Sequence, residues 1–205
     1  MSTVSPSVSA LRAEFGSAIT HHLVSCGDTV VYVERDRSHD VLAWLKDTAG
    51  QEFNYLTDVT AVEYRDPERP LEVVWQLRSL ARKADLRVKA VLDNSEPLEV
   101  LSVWDLWHGA DWLEREVFDM FGIGFAGHPD LRRILMWETY AEGYPLRKNF
   151  PLRGHFSRAE QTRQALAANP EAHYSMEELS IAEAFHELPA DMRERLGRGE
   201  RGFLK

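Results

Sequence analysis

The sequence predicts an α+β fold, a two-layer domain of order αββαβββ followed by a motif helix and an extended C-terminal arm. Three observations predict it. Several stretches alternate apolar and polar residues with the period of two that half-buried strands require. Helical spacing punctuates them before the first strand and again near residue 40, which gives the order αββαβββ. From Ser102 onward the pattern changes to one strongly amphipathic helix and then to proline-divided chain.

Leu11, Phe15 and Ala18 lie at helical spacing, and Gly16 ends that first helix early. "ITHHLVSC" and "TVVYVE" are rich in β-branched residues and flank Gly27-Asp28, which predicts a hairpin turning there. "SHDVLAWLKDTAG" reads as a helix with Ser38 as N-cap, Val41, Leu42 and Leu45 on one face and Gly50 just past its end. Three strands follow: "FNYLTDVTAVEY", "LEVVWQL" and "LRVKAVL". In the second, Leu71, Val73, Trp75 and Leu77 face one way; in the third, Leu86, Val88, Ala90 and Leu92 do so. This domain is expected to span residues 1–101.

Residues 102–127 are expected to form a short helix capped by Ser102, a break at Gly109 and a second helix stopping at Gly122. In that second helix Leu113, Val117, Met120 and Phe121 make a buried stripe, while Asp111, Arg115 and Asp119 form an acid-base-acid ladder at i, i+4 spacing. Beyond it, prolines at 129, 145, 151, 170 and 189 cut the chain into pieces too short for a second core, so residues 128–205 are expected to be an extended docking arm. "SMEELSIAEAFHEL" within it is a further helix candidate.

Composition narrows the function. A formal net charge of -9 over 205 residues argues against a nucleic-acid partner. The charge is uneven: residues 128–163 hold seven basic against four acidic side chains, a local +3 that leaves -12 for the remainder. A basic arm on an acidic body suits an acidic protein surface or the arm's own body. Cys26 is the only cysteine, which excludes an internal disulfide and argues against a self-contained iron-sulfur cluster. The N-terminus lacks the basic start and apolar stretch of a secretory signal, and the longest charge-free run, Phe15 to Gly27, is too short to span a bilayer.

Candidate chemistry is sparse. "GIGFAG", residues 122–127, has the glycine spacing of a dinucleotide fingerprint, yet it follows a helix and runs into His128-Pro129, without the strand before and helix after that the fingerprint needs. Its glycines are expected to end a helix and let the chain turn. Glu114, Glu116 and Asp119 are close enough in sequence to raise acid-base or metal chemistry, but a charged helix face is ordinarily solvated or paired. His108 and His128 have no metal-ligand spacing, and no nucleophile elbow or phosphate loop is present.

"EREVFDMFGIGFAGHPDLRRIL", residues 114–135, resembles the signature of the thirty-kilodalton subunit family of respiratory complex I, also known as the C subunit of the proton-translocating NADH:quinone oxidoreductase. Glu114, Arg115, Glu116, Asp119, Met120, Phe121, His128, Arg132, Ile134 and Leu135 carry the resemblance, which extends through "FNYLTDVTAVEY", "DLWHGADWLERE" and "EGYPLRKNFPLRG" to cover roughly residues 28–154. One departure is Asn149, where the family commonly has Asp.

The resemblance implies a chain without catalytic, cofactor-binding or metal-binding residues, flavin and iron-sulfur clusters residing in partner subunits. It implies a place in the hydrophilic arm on the cytoplasmic side of the inner membrane, peripheral, packed chiefly against the large subunit that helps form the quinone site. Expected partner-interface residues on the motif helix and its end are Glu114, Arg115, Glu116, Asp119, Phe121 and Gly122; in the arm they are His128, Arg132, Arg133, Arg147 and Lys148. Two alternatives stand beside it: a stand-alone enzyme using the three carboxylates, and the equivalent subunit of a hydrogenase-type or ferredoxin-linked membrane complex.

Overall fold

A computed structural model describes residues 5–65, 71–93 and 97–168, in two compact units divided after His155. The helix candidate at 175–188 lies outside the described residues. In the first unit, α1 (Pro6–Phe15) stops at Gly16, whose φ of +53° suits glycine. The hairpin of β1 (Ile19–Ser25) and β2 (Asp28–Val33) follows, then α2 (Ser38–Asp47), β3 (Tyr55–Glu63), β4 (Leu71–Ser79) and β5 (Ala84–Leu92). The expected αββαβββ order is observed. The strands form one sheet in the order β1-β2-β5-β4-β3, antiparallel except for the central parallel pair β2 and β5.

One face of this sheet carries the core. Val73, Trp75 and Leu77 of β4, and Val88 and Ala90 of β5, cluster with Val8 and Leu11 of α1 and Val41, Leu42 and Leu45 of α2. The intervening strand residues form the other face. There Glu72, fully buried, accepts a hydrogen bond from Lys89 Nζ at 2.8 Å, and the Tyr64 hydroxyl donates to the same carboxylate at 3.2 Å. Burial works to lower the Lys89 pKa, but the hydrogen bond and charge of Glu72, together with Tyr64 and Tyr32, outweigh it and leave it raised.

Two local expectations are corrected. The hairpin turns on Cys26-Gly27, not Gly27-Asp28: Asp28 already pairs with Ser25, and Cys26 and Gly27 supply the two positive φ values, +53° and +95°, that a tight hairpin turn needs. Ser38 is the first residue of α2 rather than its N-cap, because its hydroxyl donates back to the Arg35 carbonyl at 2.7 Å.

After β5 the chain forms β6 (Glu99–Leu101), α3 (Ala110–Phe121) and β7 (Gly124–Ala126). The short helix expected after Ser102 does not form. Leu106 and Trp107 both donate to the Val103 carbonyl, making a single turn that does not propagate. Strands β6 and β7 are additions to the expected order. They pair in parallel, Glu99 with Gly124 through Leu101 with Ala126, so the middle of "GIGFAG" is a strand. The outer glycines behave as the sequence suggests, Gly122 and Gly127 having φ of +76° and +86°. Met120, Phe121, Ile123 and Phe125 join the core cluster, which places α3 and β7 on the same core as the sheet.

From His128 to His155 no helix or strand forms. In the second unit, α4 (Arg158–Ala168) opens with Ser157 Oγ accepting from the Glu160 amide, and the Glu160 carboxylate in turn receives Arg163 and Gln164.

Candidate functional site

Helix α3 presents three faces. Val117, Met120 and Phe121 are buried in the core, and Leu113 is partly buried against it. Trp112 and Glu116 are exposed, Trp112 by 70%. Between these faces run Asp111, Arg115 and Asp119, the expected ladder. Its rungs do not bond to one another; each reaches the segment that follows β7.

Asp119 is fully buried yet fully satisfied. Its Oδ1 takes the Arg133 guanidinium, and its Oδ2 accepts three consecutive backbone amides, Ile134 at 3.1 Å, Leu135 at 2.8 Å and Met136 at 2.8 Å. Arg133 also donates to the Asp119 and Gly143 carbonyls and lies 5.2 and 5.3 Å from the ring centres of Tyr140 and Tyr144. One turn earlier, Arg115 donates to the carbonyls of Arg132 and Arg133, both at 3.2 Å. One turn earlier again, His128 Nε2 reaches the Asp111 carbonyl at 3.1 Å while its Nδ1 accepts the Asp130 amide. Because the carbonyl can only accept and the amide only donate, these partners fix the Nε2-H tautomer.

Glu114 points the other way and is also fully buried. Ser102 Oγ donates to its Oε2 at 2.6 Å and the Val103 amide to its Oε1 at 2.7 Å; the Ser102 oxygen accepts in turn from the Trp104 amide. His128 Nε2 stands 4.0 Å away. Burial dominates and pushes the Glu114 pKa up to about 7, against the two hydrogen bonds that favour its charged form; Asp105 and Asp111 add to the rise.

The helix ends under a lid of aromatic carbon. Gly122 has Tyr144 so near that an added Cβ would sit 2.4 Å from the ring. Past it, the Leu146 amide donates to the Met120 carbonyl, and Arg147 reaches the Phe121 carbonyl at 3.4 Å while pairing with Glu63 of β3 at 3.3 Å. The Lys148 amide donates to the other oxygen of Glu63. A cation at these carbonyls complements the negative end of the helix.

Of the expected interface residues, the structure therefore brings Glu114, Arg115, Asp119, Phe121, Gly122, His128, Arg133 and Arg147 into one internal buckle that fastens residues 128–148 to α3. Glu116, Arg132 and the Lys148 side chain stay at the surface. Arg132 pairs with Asp130 at 2.7 Å and Glu138 at 3.6 Å. The three carboxylates raised as an enzyme site do not converge: Glu114 is taken by Ser102 and the Val103 amide, Asp119 by Arg133 and the amides of Ile134, Leu135 and Met136, and Glu116 is exposed. Ser102, Glu63 and Tyr144 are parts of the buckle that sequence reasoning missed. Ser102 stood out only as a helix cap, and Glu63 and Tyr144 lie inside stretches that carry the resemblance without being singled out there. Among the described residues, no group of three or more His, Cys, Asp or Glu is placed to hold a metal ion.

The same stretch of chain is shared with known proteins. The family model "Respiratory-chain NADH dehydrogenase, 30 Kd subunit" matches residues 31–156. The second C subunit of NADH-quinone oxidoreductase in Rhizobium etli is 42% identical over 156 residues, covering 75% of this chain and 81% of that one. A relative in Acidiphilium cryptum, named as the C/D subunit of NADH-quinone oxidoreductase, is 43% identical over 159 residues, 69% of this chain but 26% of that one. Among solved structures, a trypsin-resistant fragment of Nqo5 superposes with a TM-score of 0.51 at 31% identity, covering 60% of this chain and 96% of the fragment. The matched span contains the sheet from Val31 onward, α3 and the buckle, and on it the chain belongs to the 30 Kd subunit family of respiratory-chain NADH dehydrogenase, the C subunit of NADH-quinone oxidoreductase.

Proposed function

We propose that this chain is a cofactor-free assembly subunit of the hydrophilic arm of proton-translocating NADH:quinone oxidoreductase, packed chiefly against the large quinone-site subunit, with no catalytic residues of its own. The observation that carries this reading is the buckle. Its buried carboxylates are committed to amides, a hydroxyl and a guanidinium of the same chain, so they shape a surface rather than meet a substrate. What they leave outside is suited to a protein partner: Trp112, 70% exposed, Leu135, 60% exposed, and Leu146, 52% exposed, with Glu116, Arg132 and Lys148 among them. Tryptophan and arginine are the residues on which interfaces most often depend.

Partner subunits supply the flavin and iron-sulfur clusters in this reading. Membrane attachment comes through the complex, on its cytoplasmic side; among the described residues no helix is long and apolar enough to cross a membrane. The C/D name of the Acidiphilium relative supports a close neighbour, since about three quarters of that polypeptide lies beyond the part this chain matches.

The test is Trp112→Ala and Glu116→Lys, each assayed twice. The isolated variants should melt like the parent, because neither side chain joins the core, while recovery with the large subunit from detergent-solubilised membranes should fall. Undiminished recovery of both variants, or stoichiometric flavin or iron in the isolated chain, would overturn the reading.

A further inference from the structure

The sheet has two edges, and they are protected differently. At β3 the register shifts between Leu56 and Asp58, α3 packs against the strand, and Glu63 at its end holds Arg147 and the Lys148 amide. At β1 the only irregularity lies between Ile19 and His21, and from His21 to Ser25 the strand pairs with β2 residue for residue. Among the described residues no strand covers its outer side, and Thr20, Leu23, Val24 and Ser25 are exposed, Leu23 by 37% and Val24 by 42%. Folded proteins blunt such edges with lysine, proline or covering chain. Between Phe15 and Gly27 this sequence has no Asp, Glu, Lys, Arg or Pro.

We propose that the outer edge of β1 receives an extended, uncharged segment of a neighbouring subunit, which adds to the sheet as a sixth strand. The recognising chemistry is the row of backbone donors and acceptors that β1 does not share with β2, helped by the neutral side chains Leu23 and Val24. Area decides between occupants. Seven residues of strand are roughly 24 Å long and about 10 Å thick, on the order of 250 Å² on each side. A stable pair of free proteins needs about 800 Å² per partner. A second copy joined by this edge alone falls short, whereas a strand tethered to a subunit already docked elsewhere gains a local concentration in the millimolar range. The proposal thus rests on the assembly reading above.

Hydrogen exchange of the β1 amides and maleimide labelling of Cys26, the sole cysteine and exposed at the tip of this strand, test it on the isolated chain and on the assembled complex. Assembly should slow both by about tenfold or more. A Leu23→Lys, Val24→Lys double variant should keep the isolated melting curve, still co-purify through its other surface, and lose the slowing at β1. If the chain co-purifies with its partners but β1 exchanges as fast as in the isolated chain, the strand proposal fails and the assembly reading survives. Protection already present in the isolated chain, with doubled mass, would replace it by self-pairing. Failure of the parent chain to co-purify at all would instead remove the assembly reading beneath it.

Discussion

Asp119 Oδ2 gathers the backbone amides of Ile134, Leu135 and Met136 while its other oxygen holds Arg133, so one buried carboxylate fixes the path of the chain that returns over α3. Asp119→Asn presents an amide where four donors converge, and leaves Arg133 buried without its counter-charge. Loss of one partner of a buried pair costs roughly 3–5 kcal/mol. The expected result is a corresponding fall in the urea midpoint of the isolated chain, with proteolysis beginning in residues 128–148.

Gly122→Ala meets two penalties at once. A φ of +76° is strained for any residue with a Cβ, and that Cβ would overlap the Tyr144 ring. About 2–4 kcal/mol of destabilisation follows. Gly124→Ala is the control: its Cβ would find its nearest neighbour, the Glu99 side chain, at 3.5 Å, an ordinary contact, and the melting temperature should barely move.

Glu114 gives the fold a dependence on pH of definite sign. An unfolded glutamate titrates near 4.5 and this one near 7, so between those values the folded state holds the extra proton. Its contribution is fully present below pH 4.5 and is lost as the pH rises through 7. A shift of this size corresponds to about 3 kcal/mol. Glu114→Gln cannot titrate, so the difference in unfolding free energy between parent and variant should change across this window and level off on either side. A pH-independent difference would show that Glu114 does not titrate there.

On the other face of the sheet, Lys89→Met removes the ammonium that answers Glu72 in its fully buried position. The single change should cost about 3 kcal/mol, and adding Glu72→Leu should recover much of it, since an apolar pair avoids desolvating either charge. Chemical denaturation of the two variants measures the difference.

Much of this is legible in the sequence. Leu71, Val73, Trp75 and Leu77 alternate over enough residues to declare a strand and its inner face, and Val117, Met120 and Phe121 declare the buried side of α3. Strands β6 and β7 are hidden because three residues are too few to show a period, and because their pairing is non-local. At the site, helical spacing correctly groups Asp111, Arg115 and Asp119, yet gives no way to learn that each is answered by the following segment rather than by its neighbour. Ser102 misleads for a physical reason. It has the composition signal of a helix cap, but its hydroxyl is taken by Glu114, twelve residues on.

The parallel pairing of β6 with β7 sets an order for synthesis. Every strand of the large sheet has left the ribosome once Leu92 has emerged, but Glu99–Leu101 must wait for Gly124–Ala126 before it has anything to bond with. During that delay the nascent chain leaves Val100, buried opposite Phe125 in the finished fold, without its cover.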